Sequence, residues 1–69
     1  MTKFERARAL ILDTLDPAGE PTAAREIYSR AYDAGVSPST VFHARWSLGT
    51  EIVVQQLGGQ TWWRRWVPW

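Results

Sequence analysis

Cysteine is absent from this 69-residue chain, so neither disulfides nor a thiolate zinc site can staple the fold. There is one histidine, and a lone histidine with no second imidazole or thiolate does not make a metal site. No apolar run approaches the roughly 20 residues of a membrane span, and no signal-peptide pattern opens the sequence. A reducing cytoplasm is therefore the expected location, with no membrane partner. The carboxylates Asp13, Asp16, Glu20, Glu26, Asp33 and Glu51 are scattered and form no spaced acid–base pair. No serine stands with a base and an orienting acid, and no phosphate-cradling glycine motif surrounds Gly58-Gly59. Catalysis is not expected, and neither a cofactor nor a metal is.

What is present has to build a core in a chain this short, which hides only about 60% of its unfolded surface. The 45% hydrophobic content and five tryptophans are the material for it. Net charge is +1, but unevenly spread. Residues 1–35 carry five Lys/Arg against six Asp/Glu, whereas residues 36–69 carry Arg45, Arg64 and Arg65 against Glu51 alone. Positive potential therefore belongs to the second half. Seven of the eight basic residues are arginine and alanine is frequent, a composition typical of GC-rich genomes.

The local signals predict a single domain over residues 1–69. Thr2 and Glu5 have capping-box spacing, and Phe4, Ala7, Ile11 and Leu15 recur at helical intervals, giving a helix over about 3–15. Leu10 and Leu12 widen its apolar stripe, and one of them is expected to be left for a partner contact. Asp16 to Pro21, with two prolines and a glycine, ends it. A second helix is expected over about 22–34, burying Ala24, Ile27, Tyr28 and Ala31, with Tyr28 and Tyr32 packing on the core and keeping their hydroxyls wet.

Gly35 to Gly49 carries the strongest punctuation. Gly35 suits a positive-φ helix end, Ser37 an N-cap, Pro38 the first helical position and Gly49 the stop. Val41, Ala44 and Leu48 form the buried seam of a third helix, about 38–48. The outward set of Ser39, Thr40, Phe42, His43, Arg45 and Trp46 contains no acid, which is the kind of face a major groove accepts. Beyond Gly49 the period becomes alternating. A hairpin of about 51–57 and 60–67 turns at Gly58-Gly59, with Leu57 opposite Gln60, Val54 opposite Trp63 and Ile52 opposite Arg65. Ile52, Val54, Trp63 and Val67 are expected to cover the helices, with Trp63 roofing the core. Val53, Leu57, Trp62 and Trp66 share the other face with Gln55 and Arg64. Trp69 is expected either to fold back on the sheet or to join an interface.

Residues 22–67 resemble the small winged helix-turn-helix domains of phage and plasmid proteins. Ala23-Ala24-Arg25-Glu26-Ile27, Ala34-Gly35-Val36-Ser37-Pro38-Ser39-Thr40-Val41, Ala44 to Gly49, and the tryptophan-rich Thr61 to Trp66 carry the resemblance. It implies an α+β fold of three helices followed by a C-terminal two-stranded β-hairpin wing, with a brief extension at 21–23. It also implies sequence-specific binding of double-stranded DNA, by a small regulator or a replication or recombination accessory factor. The family's DNA-facing sites fall on Ser37, Ser39, Thr40, Phe42, His43 and Trp46. Arg45, Arg64 and Arg65 are placed to neutralise phosphates or enter a minor groove. Relatives commonly have arginine or lysine at the positions of Phe42 and Trp46. That departure opens an alternative, a protein-interaction module anchored by Phe42, Trp46, Trp62 and Trp66. A homodimer or a larger replication or regulatory protein is the corresponding partner.

Overall fold

The computed structural model describes residues 2–68. Helix α1 (Lys3–Thr14) begins at Thr2, whose hydroxyl accepts from the Glu5 amide at 3.1 Å while the Glu5 carboxylate reaches back to the Thr2 amide. This is the reciprocal capping box that the spacing predicts. The helix ends one residue earlier than expected, because Leu15 turns extended and drops its side chain into the core.

A two-residue strand, β1 (Thr22–Ala23), comes next, and it corrects the expected architecture. The element order is α1-β1-α2-α3-β2-β3, so the helices are not three in succession followed directly by a hairpin. The hairpin strands β2 (Ile52–Leu57) and β3 (Gln60–Arg65) belong instead to a three-stranded sheet in the order β1-β3-β2. Thr22 lies opposite Trp63 and Ala23 opposite Trp62. Those ladder bonds hold Thr22 and Ala23 extended, so α2 (Ala24–Asp33) starts two residues later than helical periodicity indicates.

Helix α2 stops in a turn where Gly35 adopts φ 76° and the Val36 amide donates to the Ala31 carbonyl at 2.8 Å. The positive φ is why glycine stands there. Helix α3 (Pro38–Leu48) follows, ends at Gly49 and passes through a 3₁₀ turn, Gly49–Glu51, into β2. The β2–β3 register is the expected one, with Ile52 opposite Arg65, Val54 opposite Trp63 and Leu57 opposite Gln60. Gly58 and Gly59 both take positive φ in the turn, the geometry of a two-residue hairpin whose twist matches its strands.

The core lies between the helices and the inner face of the sheet. Ala7, Ile11 and Leu15 meet Ile27 and Ala31 of α2, Val41, Ala44 and Leu48 of α3, and Ile52 and Trp63 of the sheet. Leu10 and Leu12 are both half-buried and pack against this cluster. Tyr28 meets Trp63 edge-on, with ring centroids 5.7 Å apart. Tyr32, expected to pack in the same way, is 80% exposed on the far side of α2. Val54 shares the inner face but lies beyond the helices' cover and is 39% exposed. Arg6 ties α1 to the end of α2, donating to the Ala34 carbonyl at 2.9 Å. Among the described residues no helix is long and apolar enough to cross a membrane. Trp69 lies outside the described residues.

Candidate nucleic-acid interface

Helix α3 presents one side of itself to solvent because its buried seam is narrow. Val41, Ala44 and Leu48 point inward, while Ser39, Phe42, His43 and Trp46 point out. Its first turn is closed by hydroxyls. Ser37 Oγ accepts from the Thr40 amide at 3.3 Å and lies 2.8 Å from Thr40 Oγ1 and 3.3 Å from Ser39 Oγ. No acidic residue occupies that turn, so the Ser39 amide and three hydroxyls meet an incoming anion without a competing carboxylate.

Further along α3, Arg45 is held by rings. Its guanidinium lies 4.7 Å from the Trp46 ring centroid, 5.5 Å from that of Phe42 and 5.6 Å from that of Trp63 on β3. Phe42 and Trp46 meet edge-on at 6.1 Å, and Phe42 also meets His43 edge-on at 5.9 Å. The rings contact the cation without accepting conventional hydrogen bonds, so its N–H groups remain available to an acceptor. Among the described residues one side-chain ion pair forms, Glu26 with Arg30 at 3.6 Å. Arg25, Arg45 and Arg64 therefore have no carboxylate partner among the described residues.

Between the helices and the hairpin runs a groove. One part, about 300 Å³, is lined by Tyr28, Phe42, Arg45, Val54, Gln56 and Thr61. A neighbouring part, about 350 Å³, is lined by Arg25, Tyr28, Gln60 and Thr61 with Ala23 and Ala24. The two share Ala24, Tyr28 and Thr61, and neither is lined by an acid. Arg25, Gln56, Gln60 and Thr61 were not among the residues expected from sequence. Nothing in their spacing marks them; they meet only because β3 pairs with β1 directly ahead of α2.

The arginines expected on the hairpin separate. Arg64 lies on the outer face of the sheet, half-buried, with its guanidinium close to the Arg65 carbonyl. Arg65 is on the inner face, where it donates to the Leu12 carbonyl near the C-terminal end of α1. It lines a separate depression with Leu12, Thr50, Glu51 and Trp66. Strand parity is the cause: Arg65 faces Ile52, which is buried, and its side chain follows to that side. The structure thus gathers Ser37, Ser39, Thr40, Phe42, His43, Arg45 and Trp46 on α3, sets Arg64 on another face, and commits Arg65 to the fold. Among the described residues no cluster of three or more His, Cys, Asp or Glu is placed to hold a metal ion. No protein-family model, curated protein or solved structure matches the chain.

Proposed function

We propose that the chain binds double-stranded DNA, with α3 in the major groove and the hairpin beside the phosphate backbone. The observation that carries the reading is a pair of arginines without a carboxylate partner among the described residues, beside an acid-free helix face: Arg45 on α3 and Arg25 across the groove. Ser37, Ser39 and Thr40 supply phosphate-binding hydroxyls at the start of the helix. His43 offers a donor or acceptor to a base edge, and Phe42 and Trp46 offer apolar contact to thymine methyl groups. Such a protein acts as a small regulator or as an accessory factor in replication or recombination.

The test is anisotropy of a labelled random-sequence duplex titrated with protein at two salt concentrations. Binding that weakens with salt supports the proposal. Each arginine that neutralises a phosphate contributes about 0.9 to the slope of log K against log salt. Arg45→Ala and Arg25→Ala are therefore expected to flatten that slope, whereas Arg65→Ala leaves it unchanged. Absence of binding at low salt overturns the reading.

A second reading rests on the exposure of Phe42 (45%) and Trp46 (63%), large apolar surface on a chain of net charge +1. On that reading the same ridge docks a protein, with Trp46 as its anchor. Phe42→Ala combined with Trp46→Ala then removes a protein partner and leaves salt-dependent DNA retention as it was.

A further inference from the structure

The sheet order leaves β2 at an edge, and the hydrogen-bond parity of the hairpin says which groups that edge offers. The Trp66 amide donates to the Glu51 carbonyl at 3.0 Å, so Glu51 and Trp66 form a bonded pair. Bonded and non-bonded pairs alternate along an antiparallel ladder. Val53, Gln55 and Leu57 are therefore bonded to β3, and Ile52, Val54 and Gln56 turn their backbone groups away from it. The Ile52 amide is already used, donating to the Gly49 carbonyl. Val54 and Gln56 each keep a free N–H and a free C=O. Among the described residues no backbone or side-chain group satisfies them.

We propose that this edge pairs with the same edge of a second copy, antiparallel, with the two-fold axis at Gln55. In that register Val54 lies opposite the partner's Gln56, and Gln56 opposite the partner's Val54. Every free donor and acceptor of Val54 and Gln56 is matched. On the outer face Val53 meets the partner's Leu57 in a close non-bonded pair, covering a leucine that is 60% exposed in the monomer. The two Gln55 side chains meet across the axis, where their amides exchange hydrogen bonds. Centring the axis one residue earlier would leave the Gln56 carbonyl unmatched and set Leu57 against the partner's Glu51. The strand from Ile52 to Leu57 has no charge and no proline, the devices by which edges usually refuse a copy of themselves.

The contact is short, about 17 Å of strand for five residues. It falls below the roughly 800 Å² per partner of a standard interface, so the dimer is weak and depends on concentration. An antiparallel edge pair keeps both helical layers on one side of the joined sheet, so the two α3 helices are related by the same two-fold axis. If DNA is the ligand, the site preferred by the dimer is an inverted repeat. That consequence rests on the DNA reading. The dimer does not.

Sedimentation equilibrium of the whole chain without DNA tests the pairing, from micromolar to millimolar protein. The wild type is expected to dimerise reversibly. Val54→Pro removes an N–H that points away from β3 and is expected to remain folded by near-ultraviolet circular dichroism while losing dimerisation at least tenfold. Gln55→Glu and Gln55→Lys each place like charges across the axis and are expected to be monomeric alone. Mixed in equal amounts, they are expected to restore a heterodimer. A wild type that stays monomeric at millimolar concentration overturns the proposal. So does a dimer that persists in folded Val54→Pro, or a Gln55→Glu and Gln55→Lys mixture that does not associate.

Discussion

Arg45 of α3 lies over the indole of Trp63 of β3, 5.6 Å from its centroid, and this contact joins the exposed helix to the sheet. The tryptophan is 3% exposed and belongs to the core, whereas the arginine is only half-buried and faces the groove. One ring therefore serves two purposes. It fills the space beneath the hairpin and sets the direction of a cation at the surface.

The two partners respond differently to truncation. Trp63→Ala removes the largest core side chain and is expected to cost about 3–5 kcal/mol, measured by urea denaturation. Arg45→Ala loses cation–π contacts that are worth about 0.5–2 kcal/mol and leaves the core filled. Its stability change is expected to be the smaller of the two by at least 1 kcal/mol or so, while its effect on DNA binding is large. Equal destabilisation by the two variants would deny Arg45 its surface role.

Arg65 gives the converse. Its guanidinium is bonded to the Leu12 carbonyl and packed between α1 and the sheet, so Arg65→Ala is expected to destabilise the fold by about 1–3 kcal/mol. The change should appear as a lower urea midpoint with an unaltered m-value. DNA affinity under conditions where the variant is folded is expected to match that of the wild type.

Ser37 separates helix capping from recognition. Ser37→Ala removes the acceptor for the Thr40 amide and is expected to cost about 1 kcal/mol. Ser37→Asp keeps an acceptor in place, so stability returns to near wild type, but a carboxylate now stands on the proposed DNA face. Thermal denaturation is expected to rank Asp above Ala, and duplex binding to rank Ala above Asp. The same order in both measurements would argue against this end of α3 approaching phosphate.

Gly19 is held by backbone and space together. Its φ is 92°, and a Cβ there would approach Val67 Cγ2 to 3.0 Å and the Arg65 carbonyl to 3.4 Å. Gly19→Ala is expected to lower stability by about 1–2 kcal/mol, read as a drop in Tm of several degrees. Gly58, with φ 59° and open space around it, is expected to accept asparagine with little change.

The sequence alone determined the elements whose signals are local. Thr2 with Glu5, Ser37 with Pro38, and Gly35 and Gly49 mark helix ends because caps and positive-φ turns act within a few residues. Gly58-Gly59 decides the hairpin register for the same reason: a two-residue turn forces Leu57 onto Gln60, and every pair back to Ile52 and Arg65 follows. The exposed, acid-free face of α3 was legible too, since Val41, Ala44 and Leu48 identify its buried side by spacing.

Tertiary structure decided the rest. Strand β1 has two residues and no periodicity; it exists because Trp62 and Trp63 pair with it, which makes the hairpin part of a sheet. Arg64 and Arg65 are neighbours of the same type, yet pleating sends them to opposite faces and only one faces a helix carbonyl. Tyr28 and Tyr32 sit one turn apart on α2, and the position of Trp63 half-buries the first while the second remains in solvent. Local propensity acts through φ and ψ over a few residues. Burial and ladder bonds depend on which distant segment arrives opposite, and that is settled only when the chain packs.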